Sequence, residues 1–143
     1  MTKVISKVEE DAIVKAIAEA EMHTSGEIRV HVESLCKIEP FERAVEMFHQ
    51  LEMHKTALRN GVLIYVALND KKLAIIGDAG INKVVPTDFW NSTKEAMVAS
   101  FKDGKFAEGI AAAVSAAGMH LKKYFPRESN DTNELSNELS RGE

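Results

Sequence analysis

Gly61-Val62-Leu63-Ile64-Tyr65-Val66-Ala67-Leu68 is an unbroken apolar run of strand length. An alternating run would mark a strand with one wet face, whereas a continuous one marks a strand covered on both. The chain must therefore supply apolar layers above and below a sheet. Asn69-Asp70-Lys71-Lys72 follows as a compact polar turn, and Leu73-Ala74-Ile75-Ile76 leads to the break at Gly77-Asp78-Ala79-Gly80. The two runs read as an antiparallel hairpin.

Helices for both faces are legible on either side of that hairpin. Ile5, Val8, Ala12, Ala16, Ile13, Ile17 and Ala20 recur at three- and four-residue intervals, predicting a helix over about 6–22. Glu27-Ile28-Arg29-Val30-His31-Val32-Glu33 then alternates strictly, as a half-buried strand with Ile28, Val30 and Val32 inward. Pro40 suits a first helical turn, and Phe41, Ala44, Val45, Phe48 and Leu51 carry the stripe of a helix ending near Met53. After Pro86, the segment 87–102 places Phe89, Trp90, Met97 and Phe101 near helical spacing, with a stop at Asp103-Gly104. A last helix from about Lys105 presents Phe106, Ile110, Ala113, Val114, Ala117 and Leu121, a face of small residues suited to close packing on the sheet. Joining the first two strands through a helix calls for a parallel crossover. The expected fold is a three-layer α/β/α sandwich in residues 1–126, its small mixed sheet combining that crossover with the hairpin.

Residues 127–143 read as a disordered acidic tail, since only Leu135 and Leu139 are apolar there and Asn-Glu-Leu-Ser occurs twice. The tail holds two basic and five acidic residues, which takes most of the net charge of −4 and leaves the body nearly neutral. With no polybasic block, nucleic acid is excluded as a first expectation. No segment approaches the roughly 20 apolar residues of a membrane span. A single cysteine, Cys36, and an N-terminus interrupted by charge point to a cytoplasmic protein.

With the first two strands parallel and the third returning, three turns meet at one sheet edge: Thr24–Glu27, Arg59–Gly61 and Gly77–Gly80. They gather the carboxylates of Glu27 and Asp78, the Asn60 amide, the Ser25 hydroxyl and Arg59. Hard oxygen donors of this kind suit Ca²⁺ or Mg²⁺. Turn chemistry alone also enriches Gly, Asn and Asp, and Glu27 pairing with Arg59 is the plain alternative. Open α/β sheets commonly bind ligands at the carboxyl ends of parallel strands, where Glu33, Ser34, Asn69 and Asp70 rank second because a hairpin turn explains most of them. Cys36 lacks the Arg spacing of a phosphatase loop and reads as an inert thiol; nucleophile-elbow, Walker and dinucleotide motifs are absent. His23, His31, His49, His54 and His120 lack zinc spacing, and His54 alone lies close enough in sequence to Arg59-Asn60 to serve as a proton carrier.

Ser25-Gly26-Glu27-Ile28-Arg29-Val30, Arg59-Asn60-Gly61-Val62-Leu63-Ile64-Tyr65-Val66, Lys72-Leu73-Ala74-Ile75-Ile76-Gly77-Asp78-Ala79-Gly80-Ile81 and Phe101-Lys102-Asp103-Gly104-Lys105-Phe106-Ala107-Glu108-Gly109-Ile110 together resemble the TPM domain family over about residues 5–125. The resemblance implies an α/β/α sandwich, divalent metal binding in some members and acid or metal-dependent phosphatase activity in some. The family's polar turn positions fall on Glu27, Asn60 and Asp78, while Arg59 stands where many relatives carry an acidic residue. The expected function is a metal-binding domain hydrolysing phosphomonoesters weakly, with Arg59 steadying phosphate and His54 moving a proton. The alternative is a non-catalytic assembly or stress-associated module whose partner is a protein.

Overall fold

The computed structural model describes residues 4–127 and 138–142. The apolar run forms β2 (Gly61–Ala67), every residue of which is buried. It pairs antiparallel with β3 (Lys72–Gly77) and parallel with β1 (Glu27–Glu33), in the register Glu27 opposite Gly61 through Glu33 opposite Ala67. The reason for the continuous run is visible in its two sides. Val62, Ile64 and Val66 join one core with Ile28, Val30 and Val32, whereas Leu63, Tyr65 and Ala67 join another with Ala74 and Ile76.

Three helices cover the first side: α1 (Lys7–Glu21), α4 (Asn91–Lys102) and α5 (Phe106–Lys122). A capping box starts α1, with the Ser6 hydroxyl accepting from the Glu9 amide at 3.1 Å and the Glu9 carboxylate accepting from the Ser6 amide at 3.0 Å. Among the described residues, α2 (Pro40–Gln50) is the helix that covers the second side, through Ala44, Met47 and Phe48. The α/β/α layering therefore stands as expected. The small residues of α5 also let it approach its neighbouring helices closely, Gly118 lying against Ala20 of α1 and Gly109 against Ser100 and Phe101 of α4, while Ile110, Val114 and Leu121 share the core with Val30 and Ile64 of the sheet.

Three departures have physical causes. Gly77–Gly80 is more than a turn: Asp78 caps a one-turn helix, α3 (Ala79–Asn82). β1 is not half-buried, since its polar residues Glu27, His31 and Glu33 are buried as well, each with hydrogen-bonding groups around it. Finally, residues 138–142 do not form a solvated tail. Ser140–Arg141 makes a short parallel strand, β4, on the outer edge of β1, giving the sheet order β3-β2-β1-β4. Leu139 supplies the burial, at 7% exposure, and the open edge of β1 supplies backbone partners, including Val32 O for the Gly142 amide at 2.8 Å. The rest of the expected tail, residues 128–137, lies outside the described residues.

Candidate functional sites at the two ends of the sheet

Backbone hydrogen bonds draw the three turns together at the amino end of β1. The Glu27 amide donates to Asn60 O at 3.3 Å, the Asp78 amide to Gly61 O at 2.9 Å and the Gly80 amide to Arg59 O at 2.8 Å. Position 80 must be glycine here, because a Cβ would sit 2.1 Å from Leu58 O. Arg59 adopts φ 52°, which turns the chain into β2.

The side chains gathered there have partners of their own. Asp78 takes a bidentate pair from Arg59, Nε to Oδ2 at 2.7 Å and the second guanidinium nitrogen to Oδ1 at 2.8 Å. Its Oδ1 also accepts the Ala79 amide at 2.7 Å, as the cap of α3. The plain alternative had Arg59 on Glu27; the carboxylate it holds is Asp78. The Asn60 amide nitrogen reaches the Ser25 hydroxyl at 3.4 Å. Glu27 instead bonds the carboxyl of Glu21, a residue the sequence pattern leaves inside a helix. Burial raises Glu21 to about 8; the Ile28 amide, donating to it at 2.8 Å, pulls the other way, and Glu27 adds to the rise. The two carboxyls hold a proton between them at neutral pH. His54 lies beside His49, ring centroids 5.1 Å apart, and its Nδ1 is buried with no partner among the described residues. Among the described residues, no three His, Cys, Asp or Glu side chains group so as to hold a metal ion. Glu27, Asn60 and Asp78 thus share an edge, with the two carboxyls engaged by Glu21 and Arg59 and the amide by Ser25.

The carboxyl end carries a denser network. Glu33 accepts from Arg43 Nε at 2.9 Å on Oε2 and from a second guanidinium nitrogen at 2.9 Å on Oε1. Tyr65 donates its hydroxyl to Oε2, and His31 Nε2 lies 3.0 Å from Oε1. With Nε2 donating to the carboxylate, Nδ1 accepts from the Ser140 hydroxyl at 2.9 Å. Burial works to raise Glu33, yet Arg43, Tyr65 and His31 outweigh it and hold the carboxyl down to about 2. Burial keeps His31 below the usual imidazole range against the pull of Glu33, and raises the Tyr65 phenol. Beside this network is a cavity of about 620 Å³ lined by Glu33, Leu35, Cys36, Lys37, Ile38, Arg43, Glu46 and Gly142.

Of the second-ranked residues, Glu33 is central to the network. Ser34 and Asn69 bond each other at 2.8 Å, and Asp70 holds the Cys36 amide at 2.7 Å. The Cys36 thiol is buried and donates to Ile38 O at 3.1 Å. His31, Arg43 and Tyr65 were missed by sequence reasoning. The available signal was the outward set Glu27, Arg29, His31 and Glu33: four ionisable residues on one face of a strand that neighbours an entirely apolar one.

A family model described as TPM domain matches residues 1–120 of the chain. The NMR structure of the BA42 protein from the psychrophilic bacterium Bizionia argentinensis is 50% identical, with 98% of this chain and 97% of that one covered and a TM-score of 0.91. The N-terminal domain of a P. gingivalis protein, at 16% identity, covers 87% of this chain and 82% of its own with a TM-score of 0.67. An N-terminal domain from Corynebacterium glutamicum, at 13% identity, covers 97% and 80% with a TM-score of 0.62. These last two share the fold. No functionally curated protein matches the chain.

Proposed function

The chain belongs to the TPM domain family, and from the geometry at the amino end of its sheet we propose that it binds a divalent cation, Ca²⁺ or Mg²⁺, in exchange for the guanidinium of Arg59. The observation that carries this reading is the asymmetry of the Arg59–Asp78 pair. Asp78 is 6% exposed and pinned as the cap of α3, whereas the Arg59 side chain is 49% exposed. A buried carboxylate needs a cationic partner, and this partner is free to leave into water.

The donor set fits a hard cation. Asp78 supplies carboxylate oxygen, Asn60 its amide oxygen and Glu27 a second carboxylate once the proton it shares with Glu21 is released. Three side-chain donors are fewer than Ca²⁺ takes, so water completes the shell and binding is weak, in the range of about 10⁻⁴ to 10⁻³ M. Proton release makes the affinity rise with pH.

A bound cation would polarise water for phosphomonoester hydrolysis. Freed from Asp78, Arg59 offers two parallel N–H donors to phosphate oxygens, and His54, whose ring Nδ1 has no partner among the described residues, is the imidazole assigned to carry a proton. Backbone amide shifts during Ca²⁺ and Mg²⁺ titration test the cation step. Residues 25–28, 59–61 and 78–80 move together in the wild type, Arg59→Gln tightens the response and Asp78→Asn abolishes it. An Asp78→Asn protein that titrates like wild type overturns the assignment. Turnover of a generic phosphomonoester tests the chemistry: Arg59→Gln loses it while binding cation more tightly. Undiminished turnover in that variant removes Arg59 from the reaction.

A further inference from the structure

We propose that the outer edge of β1 is a peptide-binding groove and that residues 138–142 are its resident ligand, occupying it in cis. The partner it fits in trans is a protein carrying an extended Leu-Ser-Arg-Gly segment. This inference does not depend on the cation reading, which concerns the opposite end of the sheet.

Four consecutive positions of the resident segment are read separately, in the alternating manner of an added strand. Leu139 is buried in the core formed with α1 and β1. Ser140 turns to the other side, its hydroxyl 2.9 Å from His31 Nδ1. Arg141 returns to the first side, where its guanidinium meets Glu10 at 3.0 Å and Ile5 O at 2.8 Å. Gly142 faces Glu33 and His31, and a Cβ there would lie 2.8 Å from Glu33 Oε1 and 3.0 Å from His31 Nε2. Main-chain pairing of His31 with Ser140 and Val32 with Arg141, together with the Gly142 amide bond to Val32 O, supplies affinity independent of sequence. The side-chain seats supply the selectivity.

Several observations separate this segment from the body that receives it. The strand is two residues long, against six or seven for β1, β2 and β3. Leu139 is its one residue in the apolar core. The floor of the groove, by contrast, is the His31–Glu33–Arg43–Tyr65 network, whose members bond one another without help from the segment. Gly142 is one of the residues lining the 620 Å³ cavity, whose wall includes the half-exposed Leu35 and Ile38, so a longer visiting strand has room to continue. The sequence itself limits the register: Asn-Glu-Leu-Ser occurs at 133–136 and at 137–140, but only the second copy is followed by Arg-Gly, the pair that meets Glu10 and fits beside Glu33.

The segment belongs to the same chain as the edge it occupies, so an incoming peptide must compete with a covalently linked rival. The test uses the full chain carrying Gly142→Val, which ejects the segment by steric conflict. The probe is the synthetic heptapeptide Asn-Glu-Leu-Ser-Arg-Gly-Glu, followed by amide shifts at residues 28–33 and 10. The peptide binds the variant at least about tenfold more tightly than wild type, and a peptide with Val in place of Gly binds neither. If β2 and β3 amides show that Gly142→Val has lost its native fold, Arg141→Glu, which sets like charges together at Glu10, takes its place. Absence of binding to the opened chain, or equal binding to wild type, overturns the proposal. A concentration-dependent dimer of wild-type protein that dissociates in Arg141→Glu would assign the groove to a second copy and overturn the cis assignment. Hydrogen exchange on wild type gives an independent reading: the Gly142 amide exchanges by local opening, well ahead of Val62–Val66, and exchange in one unit with them would also overturn it.

Discussion

The two ends of this sheet each bury a carboxylate under a bidentate arginine, yet they are built for opposite behaviour. Glu33 receives Arg43 twice, the Tyr65 hydroxyl and a His31 ring nitrogen, three partners anchored on separate elements. Asp78 receives Arg59 twice and one backbone amide, and its arginine is half in water. A carboxylate with many fixed donors is a structural node, whereas one with a single exposed cationic partner is exchangeable. Burial alone does not distinguish them; the number and anchoring of donors does.

Breaking the node has the largest expected effect. Glu33→Gln places an amide N–H₂ against groups that are themselves donors, leaving Arg43 or Tyr65 without an acceptor, and costs about 3 kcal/mol in urea denaturation. The pH dependence follows from the same carboxyl. Glu33 falls to about 2 in the fold from an ordinary 4.5, so its stabilisation is complete above pH 4.5 and is lost as pH drops through about 2. Acid unfolding of wild type carries that slope between those values, and Glu33→Gln removes it.

Glu21 gives a smaller effect of opposite sign. Its carboxyl is raised from 4.5 to about 8, so the native state keeps a proton that the unfolded chain has already released. Stability therefore declines as pH rises from 4.5 to about 8. Glu21→Gln flattens that decline, gaining on wild type progressively toward pH 8 in thermal melts, with the two converging at pH 4.5. A variant that tracked wild type across this range would show that Glu21 and Glu27 do not share a proton.

The smallest effect belongs to the exchangeable end. Arg59→Gln loses less stability than Glu33→Gln, since water and the Ala79 amide still solvate Asp78. Millimolar Ca²⁺ restores part of the loss, by binding to the folded state alone. A loss as large as that from Glu33→Gln would erase the distinction between the ends.

How much of this was legible follows from the range over which each signal acts. β2 announced itself because an unbroken apolar run has one economical solution, and α1 and α2 because helical periodicity is local. The convergence of Glu27, Asn60 and Asp78 followed from strand direction alone. Their side-chain partners did not: that Asp78 takes Arg59 while Glu27 takes Glu21 depends on rotamers and on the end of α1. α3 was hidden because Gly-Asp-Ala-Gly reads as a turn until the Asp78 cap is seen. β4 was hidden most completely, because Leu139 lies in a polar context and its partner edge is more than a hundred residues away.

By itself, the sequence determined the layers, the strand directions and the edge where polar turns meet, since apolar periodicity and turn chemistry act between near neighbours. The tertiary structure decided which carboxylate is locked, which is exchangeable and where the C-terminal segment docks. Those outcomes rest on donors and backbone edges brought together from distant positions, and the energy of a buried charge depends on what surrounds it rather than on what adjoins it in the chain.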